Sequence, residues 1–327
     1  MTDKTIKWGI LGPGSIAHKF AIGLQLVPNA ELVAVGSRSL ERAQAFAAKF
    51  DALSAYGSYA DLIADPDVDA IYVGTPHSFH KTHSILCMDA GKHVLCEKPF
   101  AINANEARAM AAAAQRNGVV LMEAMWSRFL PTLVKVRELL AAGVIGEVRM
   151  ISADFGFRTR VNPEGRLFDP SLGGGALLDV GIYPLSLAYM IFGKPTRIAS
   201  MADIGSTGID EQSAFILGYE GGQMAICSTA VRTNTPHEAT IMGSEGMIKL
   251  HAPWWVSATL SVNRGGDEEI HTLPFLGNGY THEAIEVGNL IRSGKLESDV
   301  IPLAESIQIM ETMDALRAEW GIKYPME

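Results

Sequence analysis

The sequence predicts an α/β protein in two parts: an amino-terminal domain on a doubly wound parallel sheet, and a carboxyl-terminal α+β domain on a large, mostly antiparallel open sheet. Three observations carry this expectation. Strand-like and helix-like patterns alternate over about the first 125 residues, which implies parallel strands joined by helical crossovers. Beyond that point the style changes, and strand-like segments separated by Gly-Gly, Asn-Thr and Gly-Ser-Glu-Gly turns run up to about Leu273. The length, 327 residues, suits two domains of roughly 100–200 residues each. The expected boundaries are 1–125 and 126–327.

In chain order, Lys7–Leu11 reads as a strand, and Ser15–Val27 as a helix with apolar spacing at Ile16, Phe20 and Leu24, Pro28 lying just past its end. Glu31–Val35 is a second strand and Ser39–Phe50 a second helix, with Ser39 a candidate N-cap. Ala70–Val73 and His93–Leu95 are short buried strands, separated by a helix that ends near Ala90-Gly91. Asn103–Asn117 is an alanine-rich helix; Asn103 and Glu106 have capping-box spacing, and Gly118 can close the far end. Val119–Met122 is the next strand. In the second part, helices are expected at Leu130–Ala142 and Gly175–Phe192, and strands at Ser213–Tyr219, Gln223–Val231 and Met247–His251. Two helices follow from about Thr281. Neither face of Gln223–Val231 is strongly polar, so helices are expected on one face of the sheet and a second subunit on the other.

Composition narrows the function classes. A net charge of −9 and a pI near 5.5 argue against a nucleic-acid or anionic-membrane partner. No apolar run reaches the ~18 residues that span a bilayer, and Ile6–Leu11 is too short for a signal core. The three cysteines, Cys87, Cys96 and Cys227, are odd in number and far apart, which fits a reducing compartment. A soluble cytoplasmic protein is expected.

Gly12-Pro13-Gly14-Ser15-Ile16-Ala17 is a G-x-G-x-x-A run that follows a strand and opens a helix. Gly12 allows the tight turn, Gly14 a close backbone approach by a pyrophosphate, and Ala17 close helix packing. The helix amino terminus at Ser15 and Ile16 then faces the phosphates. At the end of the second strand, where an NAD site usually carries an acid for the ribose hydroxyls, stand Gly36-Ser37-Arg38. Ser37 and Arg38, with Arg42 one turn on, suit a 2′-phosphate, so NADP is expected over NAD; a solvated arginine at a helix start is the plain alternative. Thr75-Pro76-His77 and His80 follow another buried strand at the same edge. His77, His80 and His83 spread around a helix with no cysteine or paired acid near in sequence, so no metal site is expected.

Glu97-Lys98-Pro99 ends the His93–Leu95 strand, and the proline forbids its continuation. Ligands of open α/β sheets lie beyond the carboxyl strand ends, and a lysine there can change protonation state and do chemistry. In the second part, Gly173-Gly174-Gly175 lead into a helix carrying Asp179 and Tyr183, four apart and so on one face. Trp126, Phe155, Trp254, Trp255 and Tyr280 are candidate pocket walls, with core packing the alternative for each. Arg128 and Arg158 are candidates for substrate polar groups or for a dimer brace, two roles the residues alone leave open.

On the glycine run, Thr75-Pro76, Glu97-Lys98-Pro99 and the Asp179–Tyr183 helix, the chain resembles the Gfo/Idh/MocA family of NAD(P)-dependent oxidoreductases over nearly its whole length. Within it, Met122–Phe129, Gly174–Pro184, Ile309–Asp314 and Gly321–Pro325 are most similar to the branch of dimeric dihydrodiol dehydrogenases and NADP-dependent D-xylose 1-dehydrogenases. Many members have histidine where this chain has Tyr183. The resemblance implies a Rossmann domain, a sheet domain and a homodimer formed through the open sheet face. It also implies that Lys98 bonds the reacting oxygen, that Tyr183 is the general acid/base, and that Asp179 orients substrate or lysine. Glu97 joins Lys98 on the cofactor side. A tyrosine titrating near ~10 is a poor base at neutral pH, and a neighbouring lysine cation and oxidised cofactor would lower it. The implied activity is hydride transfer between NADP and the CH–OH of an aldose such as D-xylose or of a cyclic vicinal diol. A sugar-ketone reductase and a non-catalytic NADP-binding regulator are the alternatives.

Overall fold

The computed structural model describes residues 4–327. They form two compact units, and neither is a single stretch of chain. One runs up to Phe129 and takes in Leu276–Ile307; the other comprises Leu130–Phe275 and Gln308–Glu327. This differs from the two consecutive blocks, 1–125 and 126–327, expected from sequence.

Among the described residues the first unit carries a six-stranded sheet. Its strands are β1 (Ile6–Leu11), β2 (Ala30–Gly36), β3 (Ser54–Tyr56), β4 (Ala70–Val73), β5 (His93–Glu97) and β6 (Leu121–Ala124), all parallel, in the order β3-β2-β1-β4-β5-β6. Helices α1 (Ser15–Leu24), α2 (Leu40–Phe50), α3 (Tyr59–Ala64), α4 (His80–Asp89) and α5 (Ala104–Asn117) make the crossovers. The strand order reverses between β1 and β4, so the loops after these two strands diverge and open a crevice at the carboxyl edge. Ile6, Trp8, Ile10 and Leu11 of β1 are all fully buried, as a strand covered on both faces requires. Helices α2 and α5 start where side chains cap them: Ser39 Oγ accepts the Arg42 N–H at 3.3 Å and Asn103 Oδ1 that of Glu106 at 2.9 Å, each cap worth ~1 kcal/mol. Strand β3 and helix α3 were not foreseen; three and six residues are too short to show a period.

The second unit carries an eight-stranded sheet among the described residues. Helix α6 (Pro131–Ala141) precedes β7 (Val148–Gly156), and α7 (Ile182–Phe192) precedes β8 (Arg197–Ile204), β9 (Asp210–Gly218), β10 (Met224–Ala230), β11 (Ala239–Gly243), β12 (Met247–Leu250), β13 (Thr259–Arg264) and β14 (Asp267–Thr272). The order is β14-β13-β12-β11-β7-β10-β9-β8, antiparallel throughout except for the parallel pair β7 and β10. One face is covered within the unit. Ala225 and Cys227 of β10 are fully buried, and a Cβ at Gly181, just before α7, would stand 3.2 Å from Thr229 Cγ2. The other face exposes Met224, Ile226, Ile216 and Met201. No membrane-length apolar run was expected, yet Pro170–Phe192 is long and apolar enough to cross one by length and composition. The most apolar 18-residue window of that stretch is 83% buried, so it is the core helix of this unit.

Helix α8 (Thr281–Ser293) explains the discontinuous boundary. It belongs to the first unit, where it meets α1 at a glycine: a Cβ at Gly23 would lie 2.9 Å from the Thr281 nitrogen. Thr281 Oγ1 donates to the Gly23 carbonyl at 3.0 Å and Asn278 Nδ2 to that of Lys19 at 2.7 Å. Leu296 then accepts from the Leu121 N–H at 3.3 Å, at the start of β6. Close packing of a late helix on an early one leaves no trace in local sequence patterns.

Candidate active site

The glycine run forms the turn between β1 and α1. Gly12 has φ +91°, a conformation that favours glycine, and a Cβ there would press to 2.9 Å on Thr75 Cγ2. Gly14 differs: a Cβ would meet only the Gly74 oxygen, at 4.0 Å. Nothing in the protein's own packing demands glycine at that position, so the space suits a group brought in from outside. Helix α1 has no side-chain cap and no acid in its first turn, so its leading N–H groups are left for an anion. At the end of β2, Ser37 Oγ accepts the Ser39 N–H at 3.2 Å while Arg38 is exposed. Burial, helped by the charge of Arg38, lowers the His83 imidazole, while at Tyr59 burial raises the phenol against the lowering pull of Arg38. These features fit an NAD(P) dinucleotide: room beside Gly14, free amides at a helix start, and a cation where a ribose-binding acid would stand.

The loops after β4 and β5 are tied together. His80 is fully buried, its Nδ1 2.8 Å from the Pro99 carbonyl and its Nε2 2.9 Å from that of Thr75. Burial pushes this imidazole down to about 4, against the pull of the two carbonyls. His83 Nδ1 lies 3.1 Å from Thr75 Oγ1. Lys98 itself is half-buried and precedes a cis proline. Its N–H donates to Glu97 Oε2 at 3.2 Å, while Glu97 Oε1 accepts the Tyr72 hydroxyl at 2.5 Å. Glu123, at the end of β6, braces the next residues by accepting the Phe100 N–H at 3.0 Å and the Ser306 hydroxyl at 2.6 Å. Burial raises the Glu123 carboxyl to about 7. Glu283 of α8 is also fully buried, with neither carboxyl oxygen hydrogen-bonded; burial and the charge of Glu97 raise it well above the usual range.

In the second unit, Asp179 lies in a π-helical turn, Leu177–Gly181, that runs into α7. Arg166 Nη1 donates to Asp179 Oδ1 at 2.9 Å. Tyr183 sits among aromatic rings. Its centroid is 5.2 Å from that of Phe155 and 6.2 Å from that of Trp255, and Phe155 and Trp255 stack at 3.4 Å with 10° between their planes. His237 meets the Trp255 ring edge-on at 4.8 Å. Phe155 and Trp255 are half-buried, so part of this wall is open.

Several expected contact residues turn out to be internal supports. Arg128 is 2% exposed and paired with Glu305, so its guanidinium braces the start of the last helix, α9 (Leu303–Trp320). Trp254 is 1% exposed and its Nε1 donates to the Asp154 carbonyl at 2.8 Å, whereas its neighbour Trp255 is half-buried and stacks on Phe155. The His80 and Glu97 side chains are committed to the loops rather than exposed to a ligand. Trp126 and Tyr280 stack on one another at 4.6 Å, both within the first unit and not the second as expected. His77 is 5% exposed. Sequence reasoning missed Arg166 and His237, which lie in irregular segments where no periodicity marks them, and Glu283, one of two acids on the amphipathic helix α8.

Comparison with known proteins agrees with this geometry. A family model described as an oxidoreductase family with an NAD-binding Rossmann fold matches residues 6–125, and one described as the GFO/IDH/MocA C-terminal domain matches residues 133–249. The chain belongs to the Gfo/Idh/MocA oxidoreductase family. Full-length relatives of this Gfo/Idh/MocA chain include trans-1,2-dihydrobenzene-1,2-diol dehydrogenases. That of Mus musculus is 40% identical over 334 residues, covering 98% of this chain and 99% of the relative; that of Homo sapiens is 37% identical with the same coverage. Among solved structures, the 3-ketoreductase KijD10 of Actinomadura kijaniata, complexed with NADP and TDP-benzene, superposes with a TM-score of 0.87 at 26% identity, over 96% of this chain and 98% of that one. The aldose-aldose oxidoreductase of Caulobacter crescentus shares the fold, with a TM-score of 0.88 at 24% identity over 98% and 99% of the two chains. The chain is an NAD(P)-dependent oxidoreductase of the dehydrogenase type, acting on a CH–OH group.

Proposed function

We propose that this dehydrogenase uses NADP to oxidise a secondary CH–OH of a neutral cyclic substrate, a trans-dihydrodiol or an aldose such as D-xylose. The observation that carries the reading is the half-open Phe155–Trp255 stack beside Tyr183. An aromatic wall next to a phenol suits the apolar face of a ring that bears hydroxyls on its edge. The relatives named for dihydrodiol oxidation support the first substrate class, and Arg38 in place of an acid supports NADP.

Gly12, Gly14 and the first turn of α1 would hold the pyrophosphate, Ser37 and Arg38 the 2′-phosphate, and Thr75, Pro76 and His77 the loop beside the nicotinamide. When bound, the nicotinamide supplies the acceptor for the hydride that leaves the carbinol carbon. Tyr183 is assigned the hydroxyl proton: as the carbon is oxidised the oxygen must lose that proton, and a phenolate takes it. Lys98 is assigned the reacting oxygen, where its ammonium opposes the charge that develops as the proton departs. Asp179, held by Arg166, orients the hydroxyls next to the one that reacts. The aromatic wall excludes water from the transfer.

The open sheet face is proposed to close a homodimer. Ile216 and Ile226 are cross-strand partners there, each at least 40% exposed, and Met201 is 79% exposed. An apolar strip of this kind across neighbouring strands marks a protein contact, and light scattering should read twice the chain mass, falling to one on Ile226→Asp. The function itself is tested by NADP and NAD reduction with a panel of trans-dihydrodiols and aldoses. Turnover of one class with NADP supports it. Tight NADP binding without turnover of any member would favour a regulatory protein instead.

A further inference from the structure

We propose that residues 321–327 act as a clamp on the start of the Asp179–Tyr183 helix, with Tyr324 and Asp210 as positioning residues for the proton transfer. The inference rests on the assignment of Tyr183 made above and goes beyond it, because neither residue belongs to the pocket.

Helix starts need partners for their leading N–H groups, and this one lacks a local cap: Ala176, which precedes the π-helical turn, is itself in helical conformation and offers no side-chain bond. The partners come from elsewhere in the unit. Asp210, the first residue of β9 and fully buried, accepts the Leu177 N–H on Oδ2 at 2.6 Å. Its other oxygen, Oδ1, is buried without a hydrogen-bond partner and would stand 2.5 Å from a Cβ at Gly175, whose φ is +119°. The glycine turn is therefore pressed against the carboxyl. From the other side the Tyr324 hydroxyl donates to the Gly174 carbonyl at 2.6 Å.

The tail that carries Tyr324 is folded on itself. The Tyr324 N–H donates to Glu327 Oε2 at 2.9 Å. Arg317 of α9 donates to Glu327 Oε2 at 2.8 Å and Oε1 at 2.9 Å, and its guanidinium lies over the Tyr324 ring, 4.8 Å from the centroid. Tyr324 is 1% exposed. A chain of bonds thus runs from α9 through the tail to Gly174, one residue before the carbonyl of Gly175 that accepts the Asp179 N–H at 3.2 Å. Because π-helical turns recur at functional sites and this one carries Asp179, the clamp fixes the position of Asp179 and, through the continuous helix, of Tyr183.

The experiment is kcat and KM for the diol with NADP in four proteins: wild type, Tyr324→Phe, Tyr183→Phe and the double variant, all assayed well below their melting temperatures. Tyr324→Phe keeps the ring on Arg317 and removes only the bond to Gly174. It is expected to lower kcat about tenfold with the KM for NADP unchanged, the loss that sub-ångström misplacement of a reacting group produces. In the Tyr183→Phe background the same change is expected to lower kcat by no more than about twofold, since it acts through Tyr183. Glu327→Gln, which loosens the tail without touching the helix, should show a smaller loss of the same kind. A lower melting temperature with wild-type kcat in Tyr324→Phe overturns the clamp, and so does an equal loss in both backgrounds. Wild-type kcat in Tyr183→Phe alone overturns the assignment of Tyr183, a separate failure that the same four proteins identify.

Discussion

In the first unit the residues assigned to the cofactor come from short contiguous runs at the ends of neighbouring strands, whereas in the second unit Tyr183 stands at the start of α7 and the rings grouped with it come from β7, a loop before β11 and a short turn after β12. The difference follows from strand direction. In a parallel sheet every carboxyl end lies on one edge, so each strand-to-helix loop faces the same crevice and a local motif suffices to place its residues. In an antiparallel sheet successive ends alternate, and neighbours are set by register and by loops of variable length.

That contrast decided what the sequence could reveal. Gly12, Gly14, Arg38 and Lys98 were legible because glycine turns and a strand-ending proline are local statements about the backbone. Phe155 and Trp255 were legible only as aromatics, and their stack at 3.4 Å belongs to the fold. Trp254 and Trp255 could not be told apart: one is fully buried and the other only half-buried, and the turn Trp254–Val256 has no strand alternation to assign them. The partner of Arg128 was hidden for a related reason. Buried arginines are rare, so an arginine reads as an available cation until its partner, here Glu305 far along the chain, is known. The overall division into parallel and antiparallel sheets was legible from periodicity, while the return of α8 to the first unit was not.

The largest expected effects test whether both regions serve one reaction. Lys98→Met and Tyr183→Phe should each lower kcat by ~10²–10⁴-fold, the usual worth of a positioned proton donor or acceptor, with NADP affinity by fluorescence titration nearly unchanged for Tyr183→Phe. Near-normal turnover in either variant would remove that residue, and its region, from the chemistry.

A smaller effect isolates the cofactor region. Arg38→Ala should weaken NADP by ~10–100-fold, as loss of a charge-assisted bond worth ~1.5–3 kcal/mol implies, while leaving NAD affinity and the KM for the diol unchanged. If NAD weakens equally, Arg38 serves the adenine or the fold rather than the 2′-phosphate. If the diol KM moves as well, the two regions are less separate than their construction suggests.

The smallest effect concerns how the first unit holds its strand-end loops with buried acids. Glu123 accepts from Phe100, two residues past Lys98, and burial raises its carboxyl to about 7. An unfolded glutamic acid titrates near ~4.3, so between these values the folded chain binds a proton that the unfolded chain has lost. Stability from this group is therefore complete below ~4.3 and is lost as pH rises towards 7, by on the order of 3 kcal/mol in all. Glu123→Gln keeps an oxygen for the Phe100 N–H and can donate its amide to Ser306, but it cannot titrate. The melting temperature of the wild type should accordingly fall, relative to Glu123→Gln, as pH is raised from 5 to 8, each ~1 kcal/mol corresponding to roughly 2–4 °C in units of this size. A gap between the two proteins that stays constant with pH would show that Glu123 is already ionised when buried. In that case the loop carrying Lys98 is held by a charge, and Arg128 would be its counter-ion as well as that of Glu305.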